Sequence, residues 1–229
     1  MLDFENEHLS LIELYAKNAL DIERTIFTKL YGLNEHHYSL LAIQSIAILY
    51  SYWEGYVQKS FQLYIDFINE QSVPFNMLSK EIIVFHMDNV FKQFSEYPRT
   101  VQKKIVFFDK LNAHFTTEKH EIYRIVNTQS NVDFKILNHL LEQFSLEQYN
   151  ERWKNYTYPN ASLKDMLNTF IRYRNGVSHG GDTDSEEKVT QDVYAKYRHL
   201  VVDLMYDMHE KFMDGIRNKT YTSTIGIRV

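Results

Sequence analysis

Seven side chains, Ile46, Tyr50, Trp53, Val57, Phe61, Tyr64 and Ile68, follow one another at steps of four, three, four, four, three and four. At 100° per residue this spacing gathers them on one face of a long helix, predicted over about residues 40 to 69 and closed by Pro74. An apolar face of that length must be covered by other elements. Only 7 Gly and 3 Pro occur in 229 residues, which leaves little room for the tight turns of an all-β fold. The chain is therefore predicted to be mostly helical.

The rest of the chain agrees in part. A first helix is expected over about residues 5–30, with Leu9, Ile12, Ala16, Leu20 and Phe27 near one face. The stretch "YGLNEHHYS" reads as a connection, with Asn34 and Ser39 as turn or cap residues and His36–His37 in the loop. Residues 76–130 are less clean. "EIIVFHMDNVFKQF" and "VQKKIVFFDKLNAHF" have helical spacing with β-branched runs, and "HEIYRIV" fits helix or strand equally. "SNVDFKILNHLLEQF" is a predicted helix opened by Asn131, with Phe134, Leu137, Leu140, Leu141 and Phe144 facing inward. Ser162 is placed to cap a further helix with Asp165 in its first turn, where a carboxylate suits the free N–H groups and the dipole. A last helix is expected over about 187–215, and the tail "TYTSTIGIRV" reads as an added strand or an arm. Nothing divides the chain convincingly. One domain over residues 1–229 is expected, with its core at about 40–215, the first helix at 5–30 and the tail at 216–229.

Composition narrows the class. Hydrophobic residues make up 44% and charged residues 24%, as in ordinary globular proteins. No cysteine is present, so neither a disulfide framework nor a thiolate metal site is possible. The first residues lack the basic and apolar regions of a signal peptide, and "LLAIQSIAILYSYW" is too short and too polar to span a bilayer. A cytoplasmic protein with no membrane partner is expected. The net charge of −5 argues against a general nucleic-acid coat but leaves room for a local RNA site. Residues 99–124 carry six Lys/Arg against three Asp/Glu, and residues 1–30 reverse that balance, a pattern ordinarily produced by solvated helix faces.

One helix breaks its own pattern. Leu163, Leu167, Phe170, Arg174 and Val177 form a single stripe at steps of four, three, four and three, which puts a guanidinium where the apolar face packs. Such a group needs an anionic partner or a wet cleft, because desolvating an unpaired charge costs several kcal/mol. Asn175 and His179 lie four apart and share a face, and two glycines follow. An Arg, an amide and a His suffice for attack at a phosphate: the Arg neutralises charge on the phosphorane and the His moves protons. The same spacing also suits an Arg that snorkels at the edge of the stripe and a His that caps the last carbonyls of its helix.

The segment "RNGVSHGG" at a helix end, with "LYSYWEGYVQKS" upstream and "SNVDFKILNHLLEQFSLEQ" before the motif helix, resembles the HEPN superfamily, and within it the bacterial defence and toxin branch. The resemblance covers roughly residues 40 to 210. Arg174, Asn175, His179 and Gly180 match its R-x4–6-H motif residue by residue, and Trp53, Glu54 and Gly55 match further upstream. It implies an all-α helical bundle with long antiparallel helices that forms a homodimer. Two motif copies then build one ribonuclease site across the interface, without a metal or other cofactor. His179 would serve as base on the ribose 2′-OH or as acid toward the leaving oxygen, Arg174 would hold the scissile phosphate, and Asn175 would orient either. A dimer interface that includes the 163–177 stripe would account for the Arg on it. Arg172 is a candidate contact to substrate. Tyr173 could stack on a base, and Gly180 completes the motif. Glu54 has two readings: it pairs with Arg174, or it bonds hydroxyls or solvent. RNA is the expected substrate, an antitoxin or defence protein a further partner. The alternative is a non-catalytic HEPN-like module that binds nucleotide or protein, or a structural adaptor.

Other candidates carry less. His36–His37 lacks acids or thiolates at ligand spacing, "HEIYR" lacks the second His of a zinc-protease helix, and Asp182, Asp184, Glu186 and Glu187 read as a solvated flank rather than a Mg²⁺ site. No Gly-rich phosphate loop exists, so the chain is not itself an NTPase.

Overall fold

The computed structural model describes residues 2–116, 120–129, 131–153, 162–178 and 189–223, without the side chains of residues 29, 177 and 178. The fold is all-α. Among the described residues there are seven α-helices: α1 (Leu2–Phe27), α2 (Glu35–Glu70), α3 (Lys80–Val90), α4 (Val101–Thr116), α5 (Phe134–Gln143), α6 (Leu163–Ser178) and α7 (Gln191–Asn218). None of them is long and apolar enough to cross a membrane.

The stripe on α2 is the centre of the molecule. All seven of its predicted residues are buried, none more than 1% exposed. The helix begins earlier than its apolar spacing indicates, because the Asn34 side chain accepts the N–H of His37 at 2.9 Å and caps it. His36 and His37 therefore sit in the first turn of α2, not in a loop, and Ser39 is helical.

The first helix, α1, packs against α2 and α7. It runs antiparallel to α7: Phe4 meets Phe212 with ring centroids 6.2 Å apart, and Tyr194 donates its hydroxyl to the carbonyl of Ala19 at 2.9 Å. The predicted face of α1 is turned from the observed one. Leu9, Ala16 and Leu20 are only partly buried, whereas Phe4, His8, Ile12 and Ala19 are at the centre. A histidine counted as polar hid the register.

His8 is satisfied inside the core by a chain of hydrogen bonds. Tyr56 donates its hydroxyl to the carbonyl of Met205 at 2.7 Å, so it is free to accept from His8 Nε2 at 3.3 Å. With its proton on Nε2, His8 accepts at Nδ1 from Nδ1 of His209, 2.8 Å away. Close approach of α1 also explains Gly55: a Cβ there would stand 3.1 Å from the hydroxyl oxygen of Tyr15.

The ambiguous middle resolves into α3, α4 and an extended stretch at 120–128 that joins no sheet. Side chains replace a ladder there. Asn69 accepts the N–H of Ile122 at 2.8 Å, and His86 Nδ1 accepts that of Tyr123 at 3.1 Å. α4 lies on the outside and buries Phe107 alone. α5 is capped by Asp133, which accepts the N–H of Ile136 at 2.7 Å, and not by Asn131; its inward residues Leu137, Leu140 and Leu141 are buried, as is Phe144 just beyond. α7 opens at the Thr190 cap and continues past residue 215 to Asn218, where Lys219 takes a left-handed conformation. The tail then pairs briefly with the chain before α3: Ser79 donates its N–H to Tyr221 and Ser223 to Met77, both at 2.8 Å.

Candidate active site

The helix that carries the motif, α6, starts as its sequence demands. Ser162 Oγ accepts the N–H of Asp165 at 3.0 Å and donates to the Asp165 carboxylate at 2.6 Å. Leu163, Met166, Leu167 and Phe170 are at most 3% exposed within the single chain. Phe170 stacks on Tyr197 of α7 with centroids 5.0 Å apart and meets the ring of Tyr50 at 5.4 Å. These residues close the chain's own core, so the first half of the stripe is covered without a partner chain.

One turn further, Arg174 leaves the core without leaving the stripe. Its guanidinium carbon stands 4.8 Å from the centroid of the Tyr50 ring. Nη1 donates to Asn175 Oδ1 at 2.9 Å, and Nη2 lies 3.9 Å from Glu54 Oε2. The two side chains are 22% and 19% exposed. Glu54 is thus an anionic partner of the kind the position calls for, at a separation longer than a direct hydrogen bond.

Glu54 is itself held. Its other oxygen accepts from the Thr128 hydroxyl at 2.7 Å, and Thr128 accepts in turn from Gln58 Nε2 at 2.8 Å. Both readings of Glu54 are therefore occupied, one by each oxygen. Tyr50 accepts the N–H of Val132 at 2.6 Å, and Trp53 donates its indole N–H to the carbonyl of Val132 at 3.4 Å. These bonds strap the segment before α5 onto α2 and fix the aromatic face beneath Arg174. Burial pushes the Tyr50 phenol up to about 12, with Glu54 adding to the rise, against the opposing pull of the Val132 N–H and the Arg174 guanidinium. The ring stays neutral and serves as a cation–π surface.

Tyr173 is half-buried, its ring set edgewise against Tyr197 at 5.7 Å. Arg172 is exposed, bonded back to Thr169 Oγ1 at 3.2 Å, and does not join the Arg174 cluster. His179, Gly180 and the acids at 182, 184, 186 and 187 lie outside the described residues. Tyr50, Thr128 and Gln58 escaped sequence reasoning. Tyr50 stands one turn before Glu54 and had been absorbed into the core stripe; no pattern in the sequence points to Thr128, which sits in an irregular segment.

An all-α bundle that places an Arg-Asn pair at the end of one helix, against a carboxylate on a long central helix, has the architecture of a HEPN domain. The chain belongs to the HEPN_MAE_28990-like HEPN family, whose model matches residues 9–221. No curated protein and no solved structure matches it.

Proposed function

We propose that this protein is an endoribonuclease that cuts RNA without a metal, by attack of the ribose 2′-OH on the adjoining phosphate, and that it acts as a toxin or phage-defence effector. One observation supports this most directly. Arg174 is held partly buried by Asn175, Glu54 and the Tyr50 ring at the end of the helix that leads into His179. A guanidinium set this way can neutralise a phosphorane, and a His can take the 2′-OH proton or return one to the 5′-oxygen. Two motif copies in a homodimer supply the base and the acid together.

The test is expression of the wild-type chain beside His179→Ala, with mapping of total-RNA ends. New ends bearing 2′,3′-cyclic phosphate and 5′-hydroxyl are expected for wild type alone. They should persist in EDTA and be blocked by a 2′-deoxy sugar at the cut site. Intact RNA together with measurable nucleotide binding would replace the enzyme with a binding module.

A further inference from the structure

The exposed helix α4 and the turn before it form an open groove of about 700 Å³, far along the chain from the Arg174 cluster. Arg99, Lys103 and Lys110 line it, with Glu96 as the single acid. All three cations are exposed, and among the described residues none makes an ion pair or a side-chain hydrogen bond. In a chain of net charge −5 this is a local reversal of sign. Lys103 and Lys110 lie two helical turns apart, about 10 Å along the axis. The turn also presents two rings. Phe94 and Tyr97 are 48% and 52% exposed, and both lean edgewise on Phe107, at 5.5 and 6.2 Å.

We propose that this groove is a docking surface for single-stranded RNA, its cations following the phosphates and the exposed ring of Phe94 beside it offering a face to a base. The inference rests on the reading that the chain acts on RNA, and it names a contact outside the motif. Unpaired cations set along a groove attract a polyanion by releasing its counterions, and exposed aromatics beside them stack on any base without reading sequence. α4 suits such a role because it contributes one buried side chain to the core, so its surface is spared from packing.

The test uses the full chain carrying His179→Ala, so that the probe survives. Anisotropy of a labelled oligouridylate of about twelve nucleotides is compared with and without Arg99→Glu, Lys103→Glu and Lys110→Glu together. The charge reversal should weaken binding by at least about 30-fold near 100 mM salt and remove about two from the slope of log K against log salt. A second variant with Gln at the same three positions should show a smaller loss with an unchanged circular dichroism spectrum. Equal affinity and equal slope would overturn the proposal and leave the groove to an acidic protein partner. Cleavage by chains with His179 intact is measured in parallel. RNA cut equally well by the groove variants sinks the groove and spares the nuclease; RNA held through the groove but never cut does the reverse.

Discussion

At the scale of the residue, the question is what keeps a cation on an apolar stripe, and among the described residues Asn175, Glu54 and the Tyr50 ring hold it with unequal strength. The pair with Glu54 is long and one-fifth exposed, so it contributes on the order of 1 kcal/mol or less. The Tyr50 face adds a similar amount. Glu54→Gln should therefore cost less than about 1 kcal/mol in chemical denaturation, while RNA cleavage falls about tenfold as the guanidinium loses its direction. Glu54→Asp should recover part of the rate. A rate that follows stability alone across these variants would reduce Glu54 to a hydroxyl anchor for Thr128. The need for an anionic partner was legible in the spacing around Arg174. Its cradle was only half legible, because Thr128 reaches Glu54 through a segment whose backbone is satisfied by side chains and leaves no periodic trace.

At the scale of the element, apolar spacing located α2 because its stripe is made of residues that bury unconditionally. It misread α1, whose centre is His8, a residue that buries only when every ring nitrogen finds a partner. Helix starts were legible where the cap has an acid three residues on, as at Ser162 with Asp165. They were not where Asn131 and Asp133 compete two residues apart. The histidine at the α1–α7 contact has a consequence in pH. Burial, and then the neighbouring His209, lowers His8 from 6.5 to about 3, and burial with His114 and His120 lowers His86 to about 4. Burial also lowers His209, with Glu210 and Glu5 opposing. The folded state thus refuses protons that the unfolded chain accepts. Stability is full above about pH 6.5 and is lost as the pH falls below it, toward the folded values. With His8 and His86 both contributing, about 2–3 kcal/mol should disappear between roughly pH 5.5 and 4.5, read as a falling urea midpoint. A midpoint that holds flat to pH 4.5 would mean that the folded core accepts a charged imidazole.

At the scale of the whole molecule, the proposed composite site requires two chains. Sedimentation at micromolar concentration should give twice the 27.4 kDa chain mass, and an excess of His179→Ala subunits should suppress wild-type cleavage once the subunits exchange. A monomer that still cuts RNA would remove the partner from the mechanism. Phe170 is no lever on this question, since Phe170→Glu would place a charge between Tyr50 and Tyr197 and unfold the chain first. That same stacked pair ties the site to the order of biosynthesis. A nascent chain that stops short of Gln191 has made the helix of Arg174 but not the ring of Tyr197 on which Phe170 rests, nor the helix that covers Phe4 and His8. The contacts that α7 makes with α1 and with Phe170 cannot form until the ribosome delivers it. A chain proposed to destroy RNA thus carries its Arg174 cluster without the ring that seats the cluster's helix until α7 has left the ribosome.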